Sequence, residues 1–98
     1  MAISQADFVI AASFRLPGLG ILVLPVVPEP FWLSEYALHI ALEVTLLVEN
    51  LSPNTFIGTV EELIHDDQPT QRALLLEFSP NSALLPGTRL KVTTACLL

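Results

Sequence analysis

One stretch of this chain constrains the fold more than any other. Over residues 38–48, Leu38, Ile40, Leu42, Val44, Leu46 and Val48 occupy one parity, while His39, Ala41, Glu43, Thr45 and Leu47 occupy the other. Successive side chains of an extended strand leave on opposite faces, so the stretch predicts a strand with one buried and one mostly wet face. A helix would spread the six aliphatics around its circumference. The same alternation runs through residues 7–16, with Phe8, Ile10, Ala12, Phe14 and Leu16 set against Asp7, Val9, Ala11, Ser13 and Arg15. It returns over 89–96, where Leu90, Val92, Thr94 and Cys96 oppose Arg89, Lys91, Thr93 and Ala95.

Three shorter strands are expected. Residues 21–27 form a β-branched apolar run expected to be buried on both sides or at an interface, 55–65 are β-rich with Gly58 inside, and 73–78 are apolar with one outward Glu77. A glycine inside a strand suggests a bulge or a tight bend. Breakers fall between the runs: Pro17-Gly18, Pro28-Glu29-Pro30, Ser52-Pro53-Asn54, Asp66-Asp67-Gln68-Pro69, Ser79-Pro80-Asn81 and Pro86-Gly87. Proline fixes φ, glycine supplies φ > 0 and Asx side chains bond to the backbone, so each breaker supplies turn geometry. Residues 31–37 read either as a helical turn or as a loop packing Trp32 on the core. Six short strands with regular turns predict an all-β fold in one domain over residues 1–98, a small six-stranded barrel. Its inward set is expected to be Phe8, Ile10, Phe14, Leu42, Val44, Leu46, Val60, Leu74, Leu76 and Val92. Gly18 and Gly20 are expected in turn conformations that a side chain would strain.

Composition narrows the function. Hydrophobic residues make up 52% of the 98 and charged residues 14%, which argues against disorder. Ten acidic residues against four basic ones give a net charge of −6, a poor match to nucleic acid or to an anionic membrane. The longest uncharged run, 16–28, is too short and too proline-rich to span a bilayer. No basic residue precedes an apolar stretch at the start, so the chain is read as cytoplasmic. The single Cys96 fits a reducing compartment and excludes an internal disulfide or a cysteine-based zinc site.

The first segment has the layout Phe8-x-Ile10-x3-Phe14-x-Leu16-Pro17-Gly18-Leu19-Gly20-Ile21-Leu22-Val23. It resembles the opening of the second domain of translational GTPases such as elongation factor Tu. Phe56-Ile57-Gly58-Thr59-Val60 is similar to that family's glycine-bent central strand, and residues 73–77 to its late apolar strand. Leu85-Pro86-Gly87-Thr88-Arg89-Leu90 is similar to its closing turn, which makes Gly87 a structural turn residue with Gly18, Gly20 and Gly58. The chain departs from the family at Leu19, where a basic residue is usual, and at residues 27–36, which replace a Gly-Asp turn. The resemblance implies a Greek-key barrel. It also implies contact with tRNA or the ribosome, which four basic residues do not support. GTP hydrolysis belongs to a separate domain in that family, and this chain has no Gly-x4-Gly-Lys-Ser/Thr loop.

Chemistry-bearing residues are sparse. Glu61, Glu62, His65, Asp66 and Asp67 form the densest polar cluster, yet strand alternation sends Glu61 and Glu62 to opposite faces and the spacing matches no dedicated metal motif. His39 falls on a polar parity, Cys96 on a core parity, and no serine sits in a Gly-x-Ser-x-Gly elbow. A filled small barrel offers no cleft for paired carboxylates. These readings predict a non-enzymatic interaction or regulatory module without cofactor or metal. The alternatives are an RNA- or ribosome-associated barrel, or a small enzyme using His65 with its acidic neighbours. The expected partner is a protein, most simply a second copy in a homo-oligomer, because so small and apolar a domain cannot bury all its apolar side chains. Phe31, Trp32 and Tyr36, with Ile21 and Val23, are the candidate interface; the alternative for Trp32 is that it caps one end of the barrel.

Overall fold

The computed structural model describes residues 2–47, 54–77 and 84–96. Within them the chain forms six strands: β1 Ala2–Leu16, β2 Gly20–Pro25, β3 Ala41–Leu47, β4 Asn54–His65, β5 Gln68–Leu76 and β6 Arg89–Cys96. A 3-10 turn, Phe31–Glu35, lies between β2 and β3, so residues 31–35 form the helical turn, and Trp32 also packs on the core as the loop reading had it. The strands close into an antiparallel barrel in the order β1-β2-β5-β4-β3-β6. β3, β4 and β5 follow one another as neighbours and β6 returns beside β3, which is a Greek key. Closure removes the free sheet edges that so apolar a chain would otherwise expose over its full length.

The interior is filled by side chains. Phe8, Ile10, Val23, Leu33, Val44, Val60, Leu74, Leu76, Leu90 and Val92 are fully buried, joined by Ile21, Leu42, Leu46 and Leu84. Each such aliphatic or aromatic contributes about 1.5–3 kcal/mol by leaving water. Nine of the ten residues expected to point inward do so: Phe8, Ile10, Leu42, Val44, Leu46, Val60, Leu74, Leu76 and Val92. The exception is Phe14, which is 51% exposed. Pairing of β1 with β2 slips between Ile10 and Ala12, so one extra residue of β1 faces a single step of β2. That bulge reverses the parity of everything after it. Ser13 and Arg15 now lie opposite the buried Val23 and Ile21, while Phe14, opposite Leu22, is turned outward. Ser13 compensates by donating its hydroxyl to the Leu84 carbonyl at 2.9 Å.

Strand limits also shift. β3 begins at Ala41 rather than residue 38, because His39 adopts a positive φ of 70° and turns the chain, leaving Leu38 and Ile40 partly exposed. β2 stops at Pro25, before the cis Val27–Pro28 peptide. β5 starts at Gln68, so only Asp66 and Asp67 separate it from β4. Pro69 is accommodated where the β4–β5 register slips between Leu63 and His65. Gly18 and Gly20 have φ of 81° and 132° as the turn reading requires, and Gly87 has 91°. Gly58 is neither bulge nor bend; it pairs in register with Leu42 and Leu76 and is small because Val44 and Leu76 close over it. The turns expected at 52–54 and 79–81, with Val48, fall wholly or partly outside the described residues.

Candidate interaction surface

The connection between β2 and β3 crosses one end of the barrel and is pinned from beneath. Leu33 is fully buried, and Trp32 packs its ring on Phe8 at 6.5 Å and edge-on to Tyr36 at 6.3 Å. Pro30 places its carbonyl to accept the Leu33 N–H at 3.1 Å, which starts the 3-10 turn, and Ser34 donates to the Phe31 carbonyl. Arg72 of β5 binds the connection at two points. Its Nη1 donates to the Tyr36 carbonyl at 2.9 Å, its backbone N–H donates to Glu29 at 3.2 Å, and its Nε lies 3.5 Å from Glu62. At the far end His39 N–H donates to the Val60 carbonyl and Val60 N–H to the Ile40 carbonyl. The His39 ring meets Glu61 at 3.0 Å, and Glu61 also accepts the Thr59 hydroxyl at 2.9 Å.

This anchored segment nevertheless holds apolar side chains in water: Val27 is 88% and Phe31 81% exposed, with Val26 beside them. Of the residues expected at an interface, Phe31 is therefore at the surface, whereas Trp32 and Tyr36 are half-buried against the core, as the capping alternative requires. Ile21 and Val23 are corrected: they lie inside the barrel at 3% and 0% exposure, because they sit on β2's inner parity, and they offer no surface to a partner. Val27 closes the 21–27 run read as buried or at an interface, and this end of the run, not Ile21 or Val23, is the exposed one. Arg72 was not singled out in the sequence, and nothing local marks it. Of the other apolar residues on the strands, Ala11 and Ile57 are exposed, while Val9, Leu63 and Leu75 are half-buried. Beside Val27 lies an open cleft of about 380 Å³, walled by Pro25, Val26, Val27 and Glu29 on one side and by residues 68–71 on the other.

The polar cluster divides as strand alternation predicts, Glu61 toward His39 and Glu62 toward Arg72. The side chains of His65 and Cys96 lie outside the described residues, and with them the enzyme alternative that uses His65. Among the described residues no three His, Cys, Asp or Glu side chains are grouped to hold a metal ion. On the opposite wall Lys91 of β6 pairs with Asp7 of β1, and this hydrogen bond, its charge and that of Arg89 hold the Asp7 carboxyl below the usual carboxylate range. No helix among the described residues is long and apolar enough to cross a membrane. No family model matches the sequence, and no curated protein or solved structure matches it.

Proposed function

We propose that the chain is a non-enzymatic interaction or regulatory module that works through the outside of its barrel, binding a protein or a second copy of itself. The observation that carries this reading is the pinned connection that displays Val27 and Phe31. Four anchors (Leu33, Trp32, Glu29 and the Tyr36 carbonyl) fix a segment whose most exposed side chains are large and apolar. Order without burial is a cost to folding that a partner surface recovers. A cytoplasmic setting belongs to the same proposal, supported by the lone cysteine. The likeness to translation-factor barrels is kept for architecture alone, since Arg89 and Lys91 stand on the wall opposite β5 and the chain carries only four basic residues.

Light scattering and hydrophobic-dye binding on the native chain and on a Val27→Ser, Phe31→Ser double variant test the reading. The native chain is expected to associate at micromolar concentration, or to bind dye strongly as a monomer, and the variant to do neither with its circular dichroism unchanged. A native chain that is monomeric and binds no more dye than the variant overturns the proposal.

A further inference from the structure

The barrel's weakest seam points to a particular mode of binding. β2 and β5 pair only through Ile21, Leu22 and Val23 against Leu76, Leu75 and Leu74. β5 continues for six residues beyond that seam, paired with β4 alone over this stretch. Which backbone groups face the vacant side follows from alternation along an antiparallel ladder. Val60 spends its N–H and carbonyl on the His39–Ile40 segment, away from β5. The β4 residues on the other parity, Glu61 and Leu63, therefore bond to Ala73 and Gln71. That leaves the carbonyls of Thr70 and Arg72 directed into the cleft beside Val26 and Val27. The Arg72 N–H points the same way and is met by the Glu29 carboxylate at 3.2 Å, which stands where the carbonyl of a neighbouring strand would be. Among the described residues no group of the protein pairs with the two carbonyls.

We infer that this stretch of β5 is a docking edge that takes an extended segment of another protein as an added strand, the segment bearing aliphatic side chains and flanking basic residues. The inference deepens the interaction reading and rests on it. A strand can donate its N–H groups to the Thr70 and Arg72 carbonyls and displace Glu29 from the Arg72 N–H. Its alternate side chains meet Pro25, Val26 and Val27 on the cleft wall. Charge selects the partner. The β4–β5 turn carries Asp66 and Asp67, both exposed, while Arg89 and Lys91 lie on β6, across the barrel from β5. A second copy carries the same net charge of −6, so self-pairing at this edge is opposed.

The test titrates isotope-labelled native chain with a short synthetic peptide alternating valine and threonine between flanking lysines, followed by backbone chemical shifts. Shifts centred on Thr70, Gln71 and Arg72 are expected. The same peptide methylated on alternate backbone nitrogens keeps its side chains but cannot pair on one edge, and should bind about tenfold more weakly. A glutamate-flanked peptide, and an Asp66→Asn, Asp67→Asn variant of the protein, should each weaken binding in a salt-dependent way. Equal binding of the methylated peptide, or shifts confined to Val27 and Phe31, overturns edge pairing while leaving the interaction reading intact. No shifts at any residue also overturns it, and the loop double variant then decides separately whether the broader reading survives.

Discussion

Replacing Gly20 by alanine tests whether the short β2–β5 seam closes the barrel. Gly20 has φ of 132°, and a Cβ built on it falls 2.0 Å from the Leu76 carbonyl oxygen and 3.0 Å from the carbonyl carbon. These are backbone atoms, so no rotamer change relieves the contact. Ile21 pairs with Leu76, and the relief available is to part β2 from β5 where only three residue pairs hold them. Backbone strain of this kind costs about 1–3 kcal/mol, and overpacking a tight contact about 1–3 kcal/mol more. The sum, about 2–6 kcal/mol, is a large share of the roughly 5–15 kcal/mol that holds a typical domain folded. Gly18 is the internal control: its φ is 81° but nothing lies within 4 Å of its Cβ position. Gly18→Ala then costs strain alone, about 1–2 kcal/mol. At about 4–8 °C per kcal/mol for a domain of this size, Gly18→Ala should lower Tm by about 5–15 °C, and Gly20→Ala by at least about twice as much or abolish folding. Gly58→Ala should fall between them, because its contacts, Val44 Cγ2 at 2.9 Å and Leu76 Cδ2 at 3.1 Å, are side-chain ends able to yield. Thermal and urea melts followed by circular dichroism read the series. Equal losses at Gly18 and Gly20, or a milder loss at Gly20, would refute the reasoning.

Other substitutions bear on the bulge, the cap and the charges. Phe8→Ala should cost about 3–5 kcal/mol by urea denaturation and Phe14→Ala less than about 1 kcal/mol, since the β1 bulge puts only the first in the core. Leu33→Ala should cost about 2–5 kcal/mol and raise the proteolysis rate of the β2–β3 connection, because Leu33 is the connection's one fully buried anchor in the core. Arg72→Met should leave the barrel's dichroism in place but destabilise it by about 1–3 kcal/mol, through the loss of its bond to the Tyr36 carbonyl. Asp7 should titrate below the ordinary carboxylate value of 3.8 in the folded chain, and Lys91→Gln should return it toward that value in an NMR titration. The sign is fixed by the direction of the shift: a lowered folded pKa contributes stability above the unfolded value, lost as pH falls through the folded one.

Much of the architecture was legible because period-two patterning is a local property. Residues such as Leu42, Val44, Leu46 and Val92 declare their face in sequence, and the glycines at 18 and 20 declare a turn. What the pattern could not carry is any place where one residue resets the count. A bulge between Ile10 and Ala12 has no marker in an Ala-Ala step, so Phe14 kept its apparent parity and lost its place in the core. His39 at φ 70° ended a run of alternation that its side chain did not interrupt. Pro69 read as a loop because proline forfeits a ladder donor; the register slip in the β4–β5 ladder accommodates it. At the surface, Phe31 was legible as an exposed aromatic, but the 21–27 run read as either buried or at an interface, without showing which of its residues did which. An apolar run has no wet parity to separate its faces, and only pairing with Arg15 and Ser13 on one side and Leu76 and Leu74 on the other reveals which residues point in. Arg72 became visible as a hub only once the topology brought Glu29, Tyr36 and Glu62 to it.

A filled barrel sealed at a narrow seam sends function to the outside. Residue-resolved amide hydrogen exchange measures that seal directly. The amides of Val23 and Leu74, which face each other across the seam, should exchange as slowly as those in the β3–β4 ladder, through global unfolding alone. If they exchange instead by rapid local opening while the β3–β4 ladder stays protected, the sheet is open at β2–β5. Its interior is then accessible, contrary to an account that places all binding on the surface.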